Sequence, residues 1–345
     1  MSVISPSFLL AVALGAAAAW VGWRAARRHR RGLAVAVLAT AMVLSTAGVA
    51  SAVNAYYSYL PTLDDVVQAA SGGAGTPAYP PPPSGRERPA GLVLRMPVPD
   101  RGSGFGASEA LVYLPPQYFS DPHRRFDVVY LVHGSPGVPA DWFRGGQAPQ
   151  AARATAAAGH PVIVVAPRMS HGWLDDPECV DGVHERVETH FVRDVVPAVD
   201  RSFRTVAGRE GRTLGGMSAG GYCALNLGLR HRALIGTIID MSGDTGPTHT
   251  GGTAALFGPG PAAVRAARDN SPADYAATLT PDPGTRIWLD CGASDRTVLA
   301  QIRAVAATLT ARGFAVQLHV RPGAHTFHVW QPALRESLAW SQDPA

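Results

Sequence analysis

Lysine is missing altogether from the 345 residues; all 30 basic side chains are arginine, which we read as a compositional bias and not as mechanism. Charge of either sign is scarce as well. Charged residues make up 16% against 46% hydrophobic ones, which excludes a mainly disordered chain. There are only three cysteines, Cys179, Cys223 and Cys291, too few to frame a disulfide-stapled miniprotein, and at most one intramolecular pair can form. Cys223 and Cys291 read as small buried hydrophobes. No C-x-x-C or H-E-x-x-H occurs, no Walker A motif is present, and no G-x-G-x-x-G opens an early strand–helix unit. No cofactor and no metal are therefore expected. The net charge of +4 is local: RAARRHRR at 24–31 holds five arginines, and without them the chain carries 25 basic against 26 acidic residues. That distribution gives no nucleic-acid-binding surface.

What is present begins with two long apolar stretches. The first runs from about residue 6 to 23 and the second from about 33 to 57, separated by the arginine cluster. A helix crossing the hydrocarbon core needs about 20 apolar residues, with about 17 as the floor. The second stretch passes easily and the first is near the floor. A signal peptide puts its positive charges before the apolar stretch, whereas here they follow it. The pattern predicts a two-helix transmembrane hairpin over residues 1–60, with an uncleaved single-span anchor as its rival. An arginine loop at 24–31 belongs on the cytoplasmic side, so everything after about Tyr57 is expected on the outer face. Residues 61–91 hold a Gly/Ser-rich stretch and then Pro80 to Pro83, which read as a partly stiff tether. A short amphipathic turn at 63–69 is expected at its start.

From about Leu92 to Ala345, short apolar runs alternate with helical patterns. Strands are expected at 109–116, 126–134, 161–167, 212–218, 233–242, 286–292 and 315–323. Helices are expected near 147–158, 190–203, 219–231, 295–312 and 331–340. Nearly continuous β-branched runs between helices mark a mostly parallel sheet covered on both faces, with the early strands forming an antiparallel edge. The expectation is a three-layer α/β head whose site lies at the carboxyl ends of the strands.

Gly216-Met217-Ser218-Ala219-Gly220 is a G-x-S-x-G between an expected strand and an expected helix. A sharp turn there holds the Ser218 hydroxyl above the sheet and leaves no room for larger neighbours. Asp295 follows the next-to-last strand and His325 the last one, giving the order Ser–Asp–His. Ser218 is the expected nucleophile, His325 its base and Asp295 the group that fixes the imidazole. Asp290 at the strand end is the alternative acid. His328 competes with His325, and His319 lies within a strand and fills space. The oxyanion donors are expected to be the amides of Ala219 and of Ser135, since Pro136 has none. His133 is expected to hold that loop. Trp142, Phe143 and Trp173 are candidate walls of a substrate pocket. His171, Asp175, Asp176, Glu178, Cys179, Asp181, His184 and Glu185 cluster without regular ligand spacing, and a polar substrate-binding loop fits them better than a metal site.

The motifs VYLVHGSPG with ADWF following, GGMSAGGYCAL, DCGASD and GAHTFHVW resemble the putative-esterase branch of the α/β hydrolases, which includes esterase D-like enzymes and mycobacterial mycolyltransferases. The resemblance covers about residues 92–340. It implies an α/β-hydrolase fold, with Ser218, Asp295 and His325 matching the family's nucleophile, acid and histidine. Mycolyltransferases carry a glutamate where this chain has Asp295, and they tend to show an aspartate–glycine step where it has His133-Gly134-Ser135. The two-helix anchor departs from them too. The resemblance therefore implies a membrane-anchored esterase of an actinobacterial envelope, its substrate an envelope or lipid ester. An acyltransferase shares every residue named, a peptidase uses the same machinery on another bond, and a non-catalytic envelope scaffold is the competing reading from outside enzymology.

Overall fold

The computed structural model describes residues 5–26, 31–71, 76–81 and 88–343. The chain divides into two compact units, residues 1–75 with Thr326–His328, and the remainder. In the first unit, helices Pro6–Ala26 and Arg31–Tyr57 pack antiparallel. Small residues let the backbones approach: a Cβ on Gly22 would touch Val37, and one on Gly48 would touch Val12. The Trp20 indole donates to Ser45 Oγ at 2.9 Å across the pair. Most of the expected arginine loop, 27–30, and the stretches 72–75 and 82–87 of the expected tether lie outside the described residues. Within the tether, Leu63–Ala70 forms a helix, started by a capping box in which Thr62 and Asp65 satisfy each other's amides.

The second unit is built on an eight-stranded sheet in the order β1-β2-β4-β3-β5-β6-β7-β8. The strands are β1 Leu92–Val98, β2 Ser108–Leu114, β3 Asp127–Val132, β4 Val162–Pro167, β5 Arg212–Met217, β6 Thr237–Met241, β7 Arg286–Gly292 and β8 Ala315–Arg321. β1, β2 and β4 pair antiparallel, and β4-β3-β5-β6-β7-β8 run parallel. Every residue of β4, β5 and β6 is buried. Burying each Ile, Leu or Val there contributes about 1.5–3 kcal/mol, which is why these strands read as unbroken apolar runs. Helices Ala148–Ala157, Ala219–Arg230 and Arg296–Ala311 pack against the sheet.

β1 is not among the expected strands. Pro97 interrupts its pattern, and a proline is tolerated because β1 is an edge strand. The segment between β6 and β7 also holds three short helices, Gly252–Phe257, Pro261–Asp269 and Pro272–Tyr275. Prolines at the first helical position start two of them. The helix expected near 190–203 is divided: a π-helical segment, His190–Val195, precedes the helix Val196–Ser202, with Pro197 lacking an amide at the join.

Candidate active site

The loops that leave the carboxyl ends of β3, β4, β5, β6, β7 and β8 converge, and β5 supplies the centre. Ser218 follows β5 directly at φ +57°, ψ −127°, a conformation costly for a residue with a Cβ. Its neighbours explain how the turn stays tight. A Cβ on Gly216 would run into the Gly220 carbonyl, and one on Gly220 into the Val132 carbonyl. The Ser218 amide donates to Met241 O at 2.9 Å, tying the turn to β6.

Ser218 Oγ lies 2.8 Å from His325 Nε2, and His325 Nδ1 lies 2.6 Å from Asp295 Oδ2. With the imidazole proton on Nδ1, the serine hydroxyl donates to Nε2 and Nδ1–H donates to the carboxylate. Asp295 is mostly covered while His325 keeps solvent access. The loops carrying them are locked together: Ala293 N donates to Arg321 O at 2.7 Å and Ser294 N to Gly323 O at 2.8 Å. Trp330 packs edge-on against the His325 ring at 4.9 Å and donates from its indole to Ser242 Oγ at 3.2 Å. Nothing in the motif spacing singled Trp330 out; only its place one helical turn past the histidine loop brings it there.

The rejected alternatives have their own partners. Asp290 is fully buried and bonded to Arg321 Nε at 2.6 Å, and burial raises its pKa to about 6. His319 stacks on Trp288 at 3.6 Å. His133 is buried, donates from Nδ1 to its neighbour's carbonyl, Gly134 O, at 2.9 Å, and has its pKa lowered by burial. It braces the loop, as expected. A Cβ on Gly134 would stand 3.2 Å from Ser218 Cβ, so the β3 loop passes directly beside the serine. Among the described residues, the amides of Ser135 and Ala219 have no hydrogen-bond acceptor, and both residues line a cavity of about 20 Å³. They are the donors available to an oxyanion on a group bonded to Ser218.

Three expectations need correction. Trp142 is completely buried in the turn Pro139–Trp142 over the sheet, and so cannot wall a pocket. Phe143 and Trp173 line neither the small cavity nor a larger one of about 290 Å³, and Trp173 is 57% exposed. Cys223 is buried but is no free thiol: it is bonded to Cys179, with Cα atoms 5.4 Å apart, across 44 residues of sequence. Cys291 is the free cysteine, and burial pushes its thiol up to about 12.

Residues of the polar cluster line the two cavities. Asp175, Asp176 and Pro177 line both, joined by Glu178 and Cys179 in the small one and by His184 and Glu185 in the large one. Glu178 accepts from the Thr248 amide at 2.7 Å, and burial raises its pKa to about 8. Asp181 accepts from the Thr189 amide at 2.9 Å. Among the described residues, no three His, Cys, Asp or Glu side chains are placed to hold one metal ion.

Residues 107–341 match the family described as Putative esterase. The chain belongs to that family. Among curated relatives of this esterase chain, a Corynebacterium glutamicum protein described as uncharacterized is 28% identical over 331 residues, covering 90% of this chain and 76% of its own. A Mycobacterium tuberculosis H37Rv protein named as an esterase is 26% identical over 261 residues, covering 65% of this chain. The match spans about half (54%) of that relative's length. Among solved structures, a ferulic acid esterase superposes with TM-score 0.63 at 22% identity, covering 72% of this chain and 96% of its own. An S-formylglutathione hydrolase from Agrobacterium tumefaciens gives 0.61 at 15%, covering 74% and 96%. Mycobacterium tuberculosis MPT51 gives 0.57 at 17%, covering 73% and 99%. At these identities the likeness establishes the α/β-hydrolase fold.

Proposed function

We propose that this protein is a membrane-anchored serine esterase acting on an envelope or lipid carboxylic ester. One observation carries the reading: a serine on a strained strand–helix turn, an imidazole at 2.8 Å and a carboxylate at 2.6 Å form one hydrogen-bonded line. Ser218 Oγ attacks the ester carbonyl as its proton passes to His325 Nε2. The carbonyl oxygen takes up the negative charge opposite the Ser135 and Ala219 amides. Asp295 steadies the imidazolium, which protonates the departing alcohol oxygen as the carbon–oxygen bond breaks and leaves an acyl-serine. Water, deprotonated by His325, attacks the acyl-serine, and the serine leaves with the proton returned to it.

The anchor rests on helices with apolar spans Ser7–Arg24 and Ala34–Tyr57, each long and apolar enough to cross a bilayer. The Cys179–Cys223 bond supports an outward-facing head, because such bonds persist in oxidising compartments. The test is turnover of p-nitrophenyl acetate by the full chain in detergent. Activity that vanishes in Ser218→Ala supports the reading; equal rates in both proteins overturn it. Adding an alcohol acceptor and assaying for acylated product separates hydrolysis from transfer.

A further inference from the structure

Ser218 and Ser242 stand in register on neighbouring strands. Met217 pairs with Met241 across β5 and β6, and each serine follows its methionine directly. Both serines sit at φ +57°, a conformation costly for a residue with a Cβ. The first is the nucleophile, and the second has no part in the line to Asp295. Ser242 is nevertheless held from several sides. It is buried, and its amide donates to Asp290 O at 2.7 Å, which ties it to β7. Its hydroxyl oxygen accepts from the Trp330 indole at 3.2 Å. Backbone strain persists where contacts over-determine a residue, as they do here.

The chemistry gives such a fixed point a use. In the resting site both nitrogens of His325 are bonded, Nδ1 to Asp295 and Nε2 to Ser218. Once Ser218 is acylated its oxygen has no proton to donate, and of that line only the Asp295 bond remains. A single hydrogen bond lets the ring turn about it, so packing has to keep Nε2 aimed at the incoming water. Trp330 supplies that packing. Its ring centroid lies 4.9 Å from that of His325, with the two planes 86° apart. The indole is buried and is itself pinned by Ser242. One residue earlier, Met241 O accepts from the Ser218 amide. Two consecutive residues at the end of β6 thus hold the nucleophile and, through Trp330, the base.

We propose that Trp330 is the positioning residue for His325, and that Ser242 is the fixed point that holds Trp330. The proposal rests on the esterase reading and deepens it by two residues that the Ser–Asp–His order does not name. Neither exchanges a proton with substrate; both act through the imidazole. Their effect therefore falls on steps that need the base, and not on substrate affinity.

The test reads the rate at which a fluorophosphonate probe labels Ser218 in the full chain in detergent, a step that needs the base. Trp330→Ala should slow labelling about a hundredfold, the weight of a misplacement of about 1 Å. Trp330→Phe restores a ring and should recover part of that rate. Ser242→Ala keeps the ring but removes its acceptor, and should slow labelling about threefold to tenfold, the weight of one hydrogen bond. It keeps the test decisive if Trp330→Ala does not fold. The discriminating readout is a double-mutant cycle with His325→Gln. With no imidazole to hold, Trp330→Ala and Ser242→Ala should each change the residual rate by less than about twofold. A merely structural role would slow labelling equally in both backgrounds, and that result overturns the proposal. Wild-type rates in Trp330→Ala and Ser242→Ala overturn it as well, and leave the esterase reading standing. Wild type that is not labelled at Ser218 overturns the esterase reading and the proposal together, which is a distinct result.

Discussion

Asp295 Oδ2 stands 2.6 Å from His325 Nδ1, while Asp290, five residues earlier on the same segment, is held at 2.6 Å by Arg321. Position on the strand separates the two carboxylates. Asp290 lies within β7, where sheet pairing confines it, and Asp295 lies past the strand in a loop long enough to reach the histidine. Asp295→Asn should lower kcat by on the order of 10³–10⁴, with little change in melting temperature. Asp290→Asn should leave turnover within about a factor of ten, because Asp290 is bonded to Arg321 and not to His325, and Arg321 keeps Glu336 as a partner. Parallel kinetics and melting curves for the two variants check this; similar losses of kcat in both would assign the acid wrongly.

The turn around Ser218 depends on missing side chains. Gly220→Ala puts a methyl group against the Val132 carbonyl, inside a packed region that cannot yield. Overpacking of this kind costs about 1–3 kcal/mol, and the displaced serine should lose its alignment with His325. The expected result is reduced thermal stability together with at least a hundredfold loss of turnover. A fully active, stable Gly220→Ala protein would show that the turn has slack.

Three buried carboxyls make stability depend on pH. Burial raises Asp290 to about 6, Asp240 to about 7 and Glu178 to about 8. In the unfolded chain such groups lose their protons near pH 4. Between pH 4 and 8 the folded chain therefore holds more protons than the unfolded one, so stability falls as pH rises through that window. Melting temperature should decline from pH 5 to 8. Glu178→Gln should remove its share of the decline, so that the variant gains on wild type from about pH 4.5 to about 8 and no further above that. An identical slope in both proteins would exclude Glu178 as a contributor.

The bond between Cys179 and Cys223 and the free Cys291 predict a thiol count. The native protein should react with no maleimide, the unreduced denatured protein with one, and the reduced denatured protein with three. Closing a loop of 44 residues contributes up to about 4 kcal/mol, so reduction should lower the melting temperature by many degrees. Protease added to intact cells should release the head if it faces outward. Protection of the head until the cells are lysed would place it inside.

Much of the fold could be read from the chain because parallel strands buried on both faces leave unbroken runs such as VIVVAP, and β4 falls at Val162–Pro167 accordingly. β1 was hidden by Pro97, and the three short helices after β6 by their prolines and glycines, since both residue types erase periodicity. The G-x-S-x-G motif and the two post-strand loops pointed to Ser218, Asp295 and His325 because chain order constrains which strand ends meet. Pocket walls are set by packing across the chain, which leaves no local pattern. Trp142 looked available and is buried, Met169 went unassigned, and which cysteines pair was left open. Hydrogen-bond connectivity alone is also ambiguous. Ser108, His190 and Asp194 form a second Ser–His–Asp line, at 3.1 and 2.8 Å, with His190 fully buried against Phe105, where it braces the loop instead of meeting substrate.

The central claim is that His325 and Asp295 make Ser218 a nucleophile. Its most direct test is the reaction of the full chain with a fluorophosphonate probe, followed by intact mass and peptide mapping. The account predicts one probe per chain, located on Ser218, lost in Ser218→Ala and slowed at least a hundredfold in His325→Gln. No labelling of folded protein, or labelling at another residue that persists in Ser218→Ala, would contradict it.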